Sequence, residues 1–172
     1  MAWKPYKDIE IDKRYKPAAR KAIAADVIDF IIKRTLKGKK PDGEPYPGYS
    51  DSYKKSLDFK IAGKNKNKVN LRLSFEMLNS IVLRNDSAGR IRIGIADGDT
   101  TNIKKAEGNS IGSYGGEPNK KKERPFLDIS DSDLKKIEAK YPIENKTSLQ
   151  EAIATAQAIR AAAKKVADDV KT

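Results

Sequence analysis

Residues 69–95 read VNLRLSFEMLNSIVLRNDSAGRIRIGI, and they hold most of the strand-forming residues of an otherwise polar chain. Val69, Leu71 and Leu73 alternate with Asn70, Arg72 and Ser74. Ile81, Val82 and Leu83 then lead to Asp86-Ser87-Ala88-Gly89, after which Ile91, Ile93 and Ile95 alternate with Arg90, Arg92 and Gly94. A period of two interrupted by a turn-rich tetrapeptide predicts an antiparallel hairpin with one buried face. A lone hairpin is not stable in water, so its apolar face needs cover from the flanking segments.

The nearest cover lies upstream. Pro17 suits the first position of a helix, because its ring fixes φ and its missing N–H has no intrahelical partner there anyway. Ile23, Val27, Phe30 and Ile31 form one stripe, widened by Ala24 and Ile28, with Arg20, Lys21, Asp29 and Lys33 on the other side. Gly38 is placed to end this helix in a left-handed cap. Before it, Ile9 and Ile11 alternate with Asp8, Glu10 and Asp12 and predict a short edge strand. Trp3, Tyr6 and Tyr15 stand among basic residues there; packing as a terminal arm is favoured over stacking on nucleic-acid bases.

Residues 37–53 carry three prolines and three glycines, too irregular for a regular element. Tyr46, Tyr49 and Tyr53 imply that this loop packs against something. Ser50 reads as the cap of a short helix running through Leu57 and Phe59. Asp97-Gly98-Asp99 begins like a calcium loop but lacks the further ligands and closing Glu, and reads as a turn. Residues 100–124, with Gly108, Gly112, Gly115 and Gly116, read as an extended, mobile excursion that returns to the core at Phe126 and Leu127. Ser130 caps a helix with Asp131 and Asp133 in its first turn, Leu134 and Ile137 on its apolar side, and Tyr141-Pro142 at its end. A last, alanine-rich helix follows Asn145, with Leu149, Ile153, Ile159, Val166 and Val170 on a narrow seam suited to one partner helix.

The expected fold is therefore α+β: an antiparallel sheet built on a central hairpin, covered by an N-terminal helix, with long loops and a C-terminal alanine-rich helix. Residues 1–143 form one domain with extended loops at 37–53 and 100–124, and residues 144–172 a helical extension.

Composition limits the chemistry. The 172 residues include neither Cys nor His, which removes disulfides, Cys/His zinc sites, thiol nucleophiles and histidine acid–base catalysis. No cofactor is implied. Asp97, Asp99 and Asp128 are the best available carboxylate set for metal-dependent hydrolysis, but two of them share one turn, so no enzyme is expected. No apolar run approaches a membrane span, and the first residues have no signal-peptide core, which points to a chain made in a cytoplasm. Thirty-six Lys and Arg against 24 Asp and Glu leave a net charge of +12, so an anionic partner competes with a merely solvated lysine-rich surface. The most one-sided cluster is Lys60, Lys64, Lys66, Lys68 and Arg72, with no acidic residue between them; Lys120, Lys121 and Lys122 form a second. Lysines of this kind attract phosphate without reading sequence.

Three blocks resemble the tailed-phage virion morphogenesis family of tail completion and neck proteins. They are RTLKGKKPDGEPYPGYSDSYKKS from Arg34 to Ser56, VNLRLSFEMLNSI from Val69 to Ile81, and KAEGNSIGSYGGEPNKKKERPFLDISDSDLKKI from Lys105 to Ile137. The likeness spans about residues 17–140, its most distinctive pieces being the Gly108–Gly115 run and the Arg-Pro-Phe-Leu block at Arg124. Phe75 stands where the pattern has a glycine, and the helix after Leu149 is an addition to it.

The resemblance implies a structural virion protein at the head–tail junction, assembled in the host cytoplasm as a homo-oligomeric, hexameric ring between the head connector and the tail tube or sheath. Lys60, Lys64, Lys66, Lys68, Lys120, Lys121 and Lys122 become candidates for a channel wall facing DNA. Tyr46, Tyr49, Tyr114, Leu149, Ile153 and Val166 become candidates for contacts between subunits. The competing reading, carried by charge alone, is a sequence-independent nucleic-acid-binding protein acting outside any particle.

Overall fold

The computed structural model of the chain describes residues 3–71, 76–113 and 117–143, together with positions 153 and 157. Three strands, β1 (Tyr6–Glu10), β2 (Ile81–Ser87) and β3 (Arg90–Ile95), form one antiparallel sheet in the order β1-β3-β2. The β2–β3 hairpin turns at Ala88-Gly89, with Ser87 opposite Arg90 and Ile81 opposite Ile95; a register slip lies between Leu83 and Asn85. The N-terminal segment supplies the edge, Tyr6 opposite Gly94 and Ile9 opposite Ile91. Ile91, Ile93 and Ile95 are completely buried on one face, as their alternation predicts. On the other face Arg92 makes a two-pronged ion pair with Asp8 directly across the strand pair, at 2.7 and 2.9 Å, and lies 4.2 Å from the Tyr6 ring centre.

Helix α1 (Pro17–Leu36) lies over the apolar face, against β2 and β3. Its buried stripe is Ile23, Ala24, Val27, Ile31, Arg34 and Thr35, with Phe30 only half-buried at the margin. Each fully buried Ile or Val is worth about 1.5–3 kcal/mol relative to exposure, so this stripe anchors the layer. Lys37 ends the helix, Gly38 takes φ +78°, and the amides of Gly38 and Lys39 return to the Thr35 and Arg34 carbonyls at 2.9 and 3.2 Å.

The hairpin is shorter than its sequence pattern. Val69 and Leu71 are buried, but they belong to no strand, and Leu71 has φ +51°, a left-handed conformation that breaks an extended run. Leu73 lies outside the described residues. A single helical turn, α4 (Glu76–Asn79), then buries Met77 and Leu78 and leads directly into β2. At Val69 and Leu71 the alternation marks burial without marking strand pairing.

The helix expected from Ser50 is split in two, α2 (Asp51–Lys55) and α3 (Leu57–Ile61). Ser56 is the hinge: its extended backbone ends α2, and its hydroxyl accepts from the Phe59 amide at 3.2 Å while donating to the Tyr53 carbonyl at 2.7 Å.

The larger correction falls on the described parts of 100–124, residues 100–113 and 117–124, which are not an extended excursion. Thr100–Ile111 is a twelve-residue helix, α5, capped by the Asp99 carboxylate on the Asn102 amide at 3.0 Å and ended by Gly112 at φ +71°. A Cβ on Gly112 would lie 2.3 Å from the Asn119 carbonyl oxygen, so glycine is demanded there by space as well as by φ. Asn119 then caps a 3₁₀ turn, Lys120–Lys122. Beyond it, Phe126 and Leu127 enter the core as predicted. Helix α6 (Asp131–Glu138) follows, with Ser130 accepting from the Asp133 amide at 3.2 Å and Leu134 and Ile137 buried. Among the described residues no helix is long and apolar enough to cross a membrane.

A candidate interaction site at the aromatic and basic cluster

Residues 37–53 fold back on themselves before reaching the site. Lys39 bridges to Pro45, Lys40 donates to the Glu44 carbonyl at 2.7 Å, and the Tyr46 amide closes onto Gly38 at 3.0 Å. This compact turn delivers Tyr46 and Tyr49 into the core, where they are 6% and 7% exposed. Of these two candidates for contact with a neighbouring subunit, each has its ring covered by groups of its own chain. Tyr46 donates its hydroxyl to the Pro125 carbonyl at 3.2 Å, and burial raises its pKa. Tyr49 packs with Tyr53 and Phe59, all three ring centres 5.4 Å apart, in tilted and edge-to-face arrangements.

Two cations close this cluster. Lys64 places its ammonium 4.8 Å from the Tyr49 ring centre and 5.4 Å from that of Tyr53, and donates to the Tyr49 hydroxyl at 3.3 Å. Arg124 lies 5.4 Å from the Tyr49 ring and is held from behind: Nε and Nη2 donate to the Pro47 carbonyl at 3.2 Å, and Nη2 to that of Gly48 at 3.0 Å. Its own amide reaches the Asn109 carbonyl at 2.7 Å, which ties α5 to the same point. Burial, and then the nearby Arg124 charge, push the Lys64 pKa down to about 8.

The cluster forms one wall of a cavity of about 750 Å³, whose other walls are Leu71 and Met77, the Lys105, Gly108 and Asn109 side of α5, and Asn119 and Lys122. Its lining draws on all three sequence blocks described above, Tyr49 and Tyr53 from the first, Leu71 and Met77 from the second, and Lys105 to Arg124 from the third.

The basic candidates separate. Lys64 and Lys122 line the cavity, whereas Lys60, Lys66, Lys68, Lys120 and Lys121 are exposed and lie outside its lining. Arg72 and the candidate contacts Tyr114, Leu149 and Val166 lie outside the described residues; Ile153 is at a helical position, half-exposed. The three carboxylates considered for metal chemistry are employed separately: Asp97 pairs with Arg84, Asp99 caps α5, and Asp128 pairs with Lys7 at 2.9 Å. Among the described residues no three acidic side chains gather as a metal-ligand group.

Sequence reasoning missed Arg34. It is buried at the end of α1 and donates to the Asp128 and Phe126 carbonyls, both at 2.7 Å, so it fixes the segment that follows Arg124. The signal was its register, since position 34 continues the stripe through 23, 27 and 31. Comparison of the chain with protein-family models, with characterised proteins and with solved structures gives no match in any of the three.

Proposed function

We propose that this chain is a structural virion protein of a tailed-bacteriophage neck, forming a ring that terminates or completes the tail and joins it to the head. The observation that carries the reading is convergence: three blocks far apart in sequence, each resembling the virion morphogenesis family, meet around one concave face. A ring also needs a surface that meets a different surface on the next copy. Leu57 and Ile61, one turn apart on α3 and 70% and 75% exposed, are suited to that contact. Lys60 on the same short helix, and Lys66 and Lys68 after it in the chain, are exposed and would give a channel wall its affinity for passing DNA.

Light scattering after size-exclusion chromatography, with electron microscopy of the purified chain alone and with tails, tests the proposal. Rings, or addition to tail ends, are expected, and Leu57→Asp with Ile61→Asp should abolish either while leaving the fold intact. A monomer at high concentration that ignores tails and heads refutes the reading; if that monomer binds DNA with steep salt dependence, the nucleic-acid-binding alternative takes its place.

A further inference from the structure

We propose that the cavity bounded by Tyr49, Lys64, Met77, Asn109, Lys122 and Arg124 is a docking site for an acidic peptide segment of a partner protein, with one carboxylate seated between Lys64 and Arg124. The inference stands on the cavity itself and holds whether or not the chain works in a phage neck.

The first argument is charge. Among the described lining residues Lys64, Lys105, Lys122 and Arg124 stand with one acid, Glu117, and Lys105 is paired with Glu76 at 3.3 Å. Among the described residues Lys64 has no carboxylate partner; its neighbours are two tyrosine rings, one hydroxyl and a second cation. Two like charges held half-buried over one ring repel each other, and an incoming carboxylate turns that repulsion into two attractions. Burial first, and then this repulsion by Arg124, lower the Lys64 pKa.

The second argument is preorganisation. Arg124 is fixed on the Pro47 and Gly48 carbonyls, and Lys64 is fixed on Tyr49, so neither side chain must be ordered when a ligand arrives. At about 750 Å³ the cavity falls in the range of pockets for small ligands and short segments.

The third argument separates a peptide from a nucleic acid. Single strands bind largely by stacking bases on open aromatic faces. Here Tyr49 and Phe59 are 7% and 2% exposed and close edge-to-face on each other, so neither offers an open face to a base, and the half-buried Tyr53 has the Lys64 ammonium 5.4 Å from its ring centre. Among the described residues the lining sets the cations beside Leu71 and Met77, which suits a carboxylate carried on an apolar stem.

Calorimetric titration of the full chain at pH 7.5 and low salt, with hexaglutamate, hexaserine and the oligonucleotide dT6 as probes, tests this. Hexaglutamate should bind and hexaserine should not. Lys64→Gln should weaken hexaglutamate at least tenfold, while Lys60→Gln with Lys66→Gln, outside the cavity, should change it less than twofold. Because any substitution can disturb packing, a second measurement uses the unaltered chain: hexaglutamate should slow acetylation of Lys64 at least fivefold and leave Lys60 unaffected. No hexaglutamate binding, equal losses in the two variants, unchanged Lys64 acetylation, or tighter dT6 binding that is lost in Lys64→Gln would each overturn the proposal, the last in favour of a nucleic-acid site.

Discussion

Replacing Lys64 by methionine should stabilise the protein at neutral pH, against the usual expectation for a residue that touches two aromatic rings. The displacement of its pKa from 10.5 to about 8 corresponds to at most about 3.4 kcal/mol. The ammonium still reaches water, so screening reduces this to about 1–2 kcal/mol. The folded chain holds the Lys64 proton less tightly than the unfolded chain does. Its charge therefore opposes folding in full below pH 8, and the opposition fades as pH rises from about 8 toward 10.5. Methionine keeps the unbranched stem and replaces the two cation–aromatic contacts with sulfur–aromatic ones of similar size, roughly 0.3–1.5 kcal/mol each. Urea denaturation of both proteins at pH 7.0 and 9.5, at one fixed protein concentration, measures the difference. The unaltered chain should gain about 1 kcal/mol across that interval and the variant almost none, with the variant ahead by about 1 kcal/mol at pH 7.0. Parallel pH profiles, or a variant less stable by more than 1 kcal/mol at pH 7.0, would refute the reasoning.

Arg34→Met should cost about 3 kcal/mol or more, because it strands the Phe126 and Asp128 carbonyls that the guanidinium now serves; a drop in urea midpoint worth less than 1 kcal/mol would contradict this. Gly112→Ala should cost at least about 1–2 kcal/mol, from the left-handed φ and from the close Asn119 carbonyl, and should speed hydrogen exchange of the Asn119 amide, which bonds to Ile111. Below pH 4 the fold should weaken. Arg92 holds the Asp8 carboxyl, Lys140 that of Asp26, and Lys136 with Ser130 that of Asp133 below the ordinary range, so their contributions are present above pH 4 and lost as pH falls through the lowered values. Carboxyl NMR titration should find all three depressed, with Asp12, bound by Arg14, near 2.

What the sequence made legible is the part built on apolar periodicity and caps. Ile91, Ile93 and Ile95, the stripe on α1, Gly38 and Ser130 behave as their patterns say, since burial of a repeating apolar face leaves a period in the chain. Helix α5 escaped because its buried positions are Asn102, Ala106, Gly108 and Asn109, which carry no hydrophobic signal. Its ends were nevertheless written in the sequence: Asp99 three residues before Asn102, and Gly112 after Ile111. Reading Asp97-Gly98-Asp99 as a turn alone, and the glycines as flexibility, concealed a capped helix whose terminal glycine, Gly112, lets the backbone of residues 119–123 approach closely. Val69 to Leu71 erred in the opposite direction, because alternation reports which side chains are buried and only indirectly how the backbone is paired.

The cluster at Lys64 marks a further limit. Counting charge placed Lys64 with Lys60, Lys66 and Lys68 as four equivalent lysines, yet only Lys64 turns inward, because three aromatic residues between positions 49 and 59 supply a surface for its stem and its charge. The same geometry constrains how the resemblance is used. Arg124, Phe126 and Leu127 each have work within this fold: Arg124 locks the turn before Tyr49, and Phe126 and Leu127 fill the core. Residues with such structural duties would be needed by any protein with this architecture, whatever it assembles with. Weight therefore moves from the buried members of the three blocks to the exposed groups around them. Leu57, Ile61, Lys66 and Lys122 contribute little to the core, and substitutions there change what the surface can hold while leaving the fold in place. The proposed assembly, DNA contact and carboxylate binding fall on different ones of these positions, so each proposal can be tested by its own substitution.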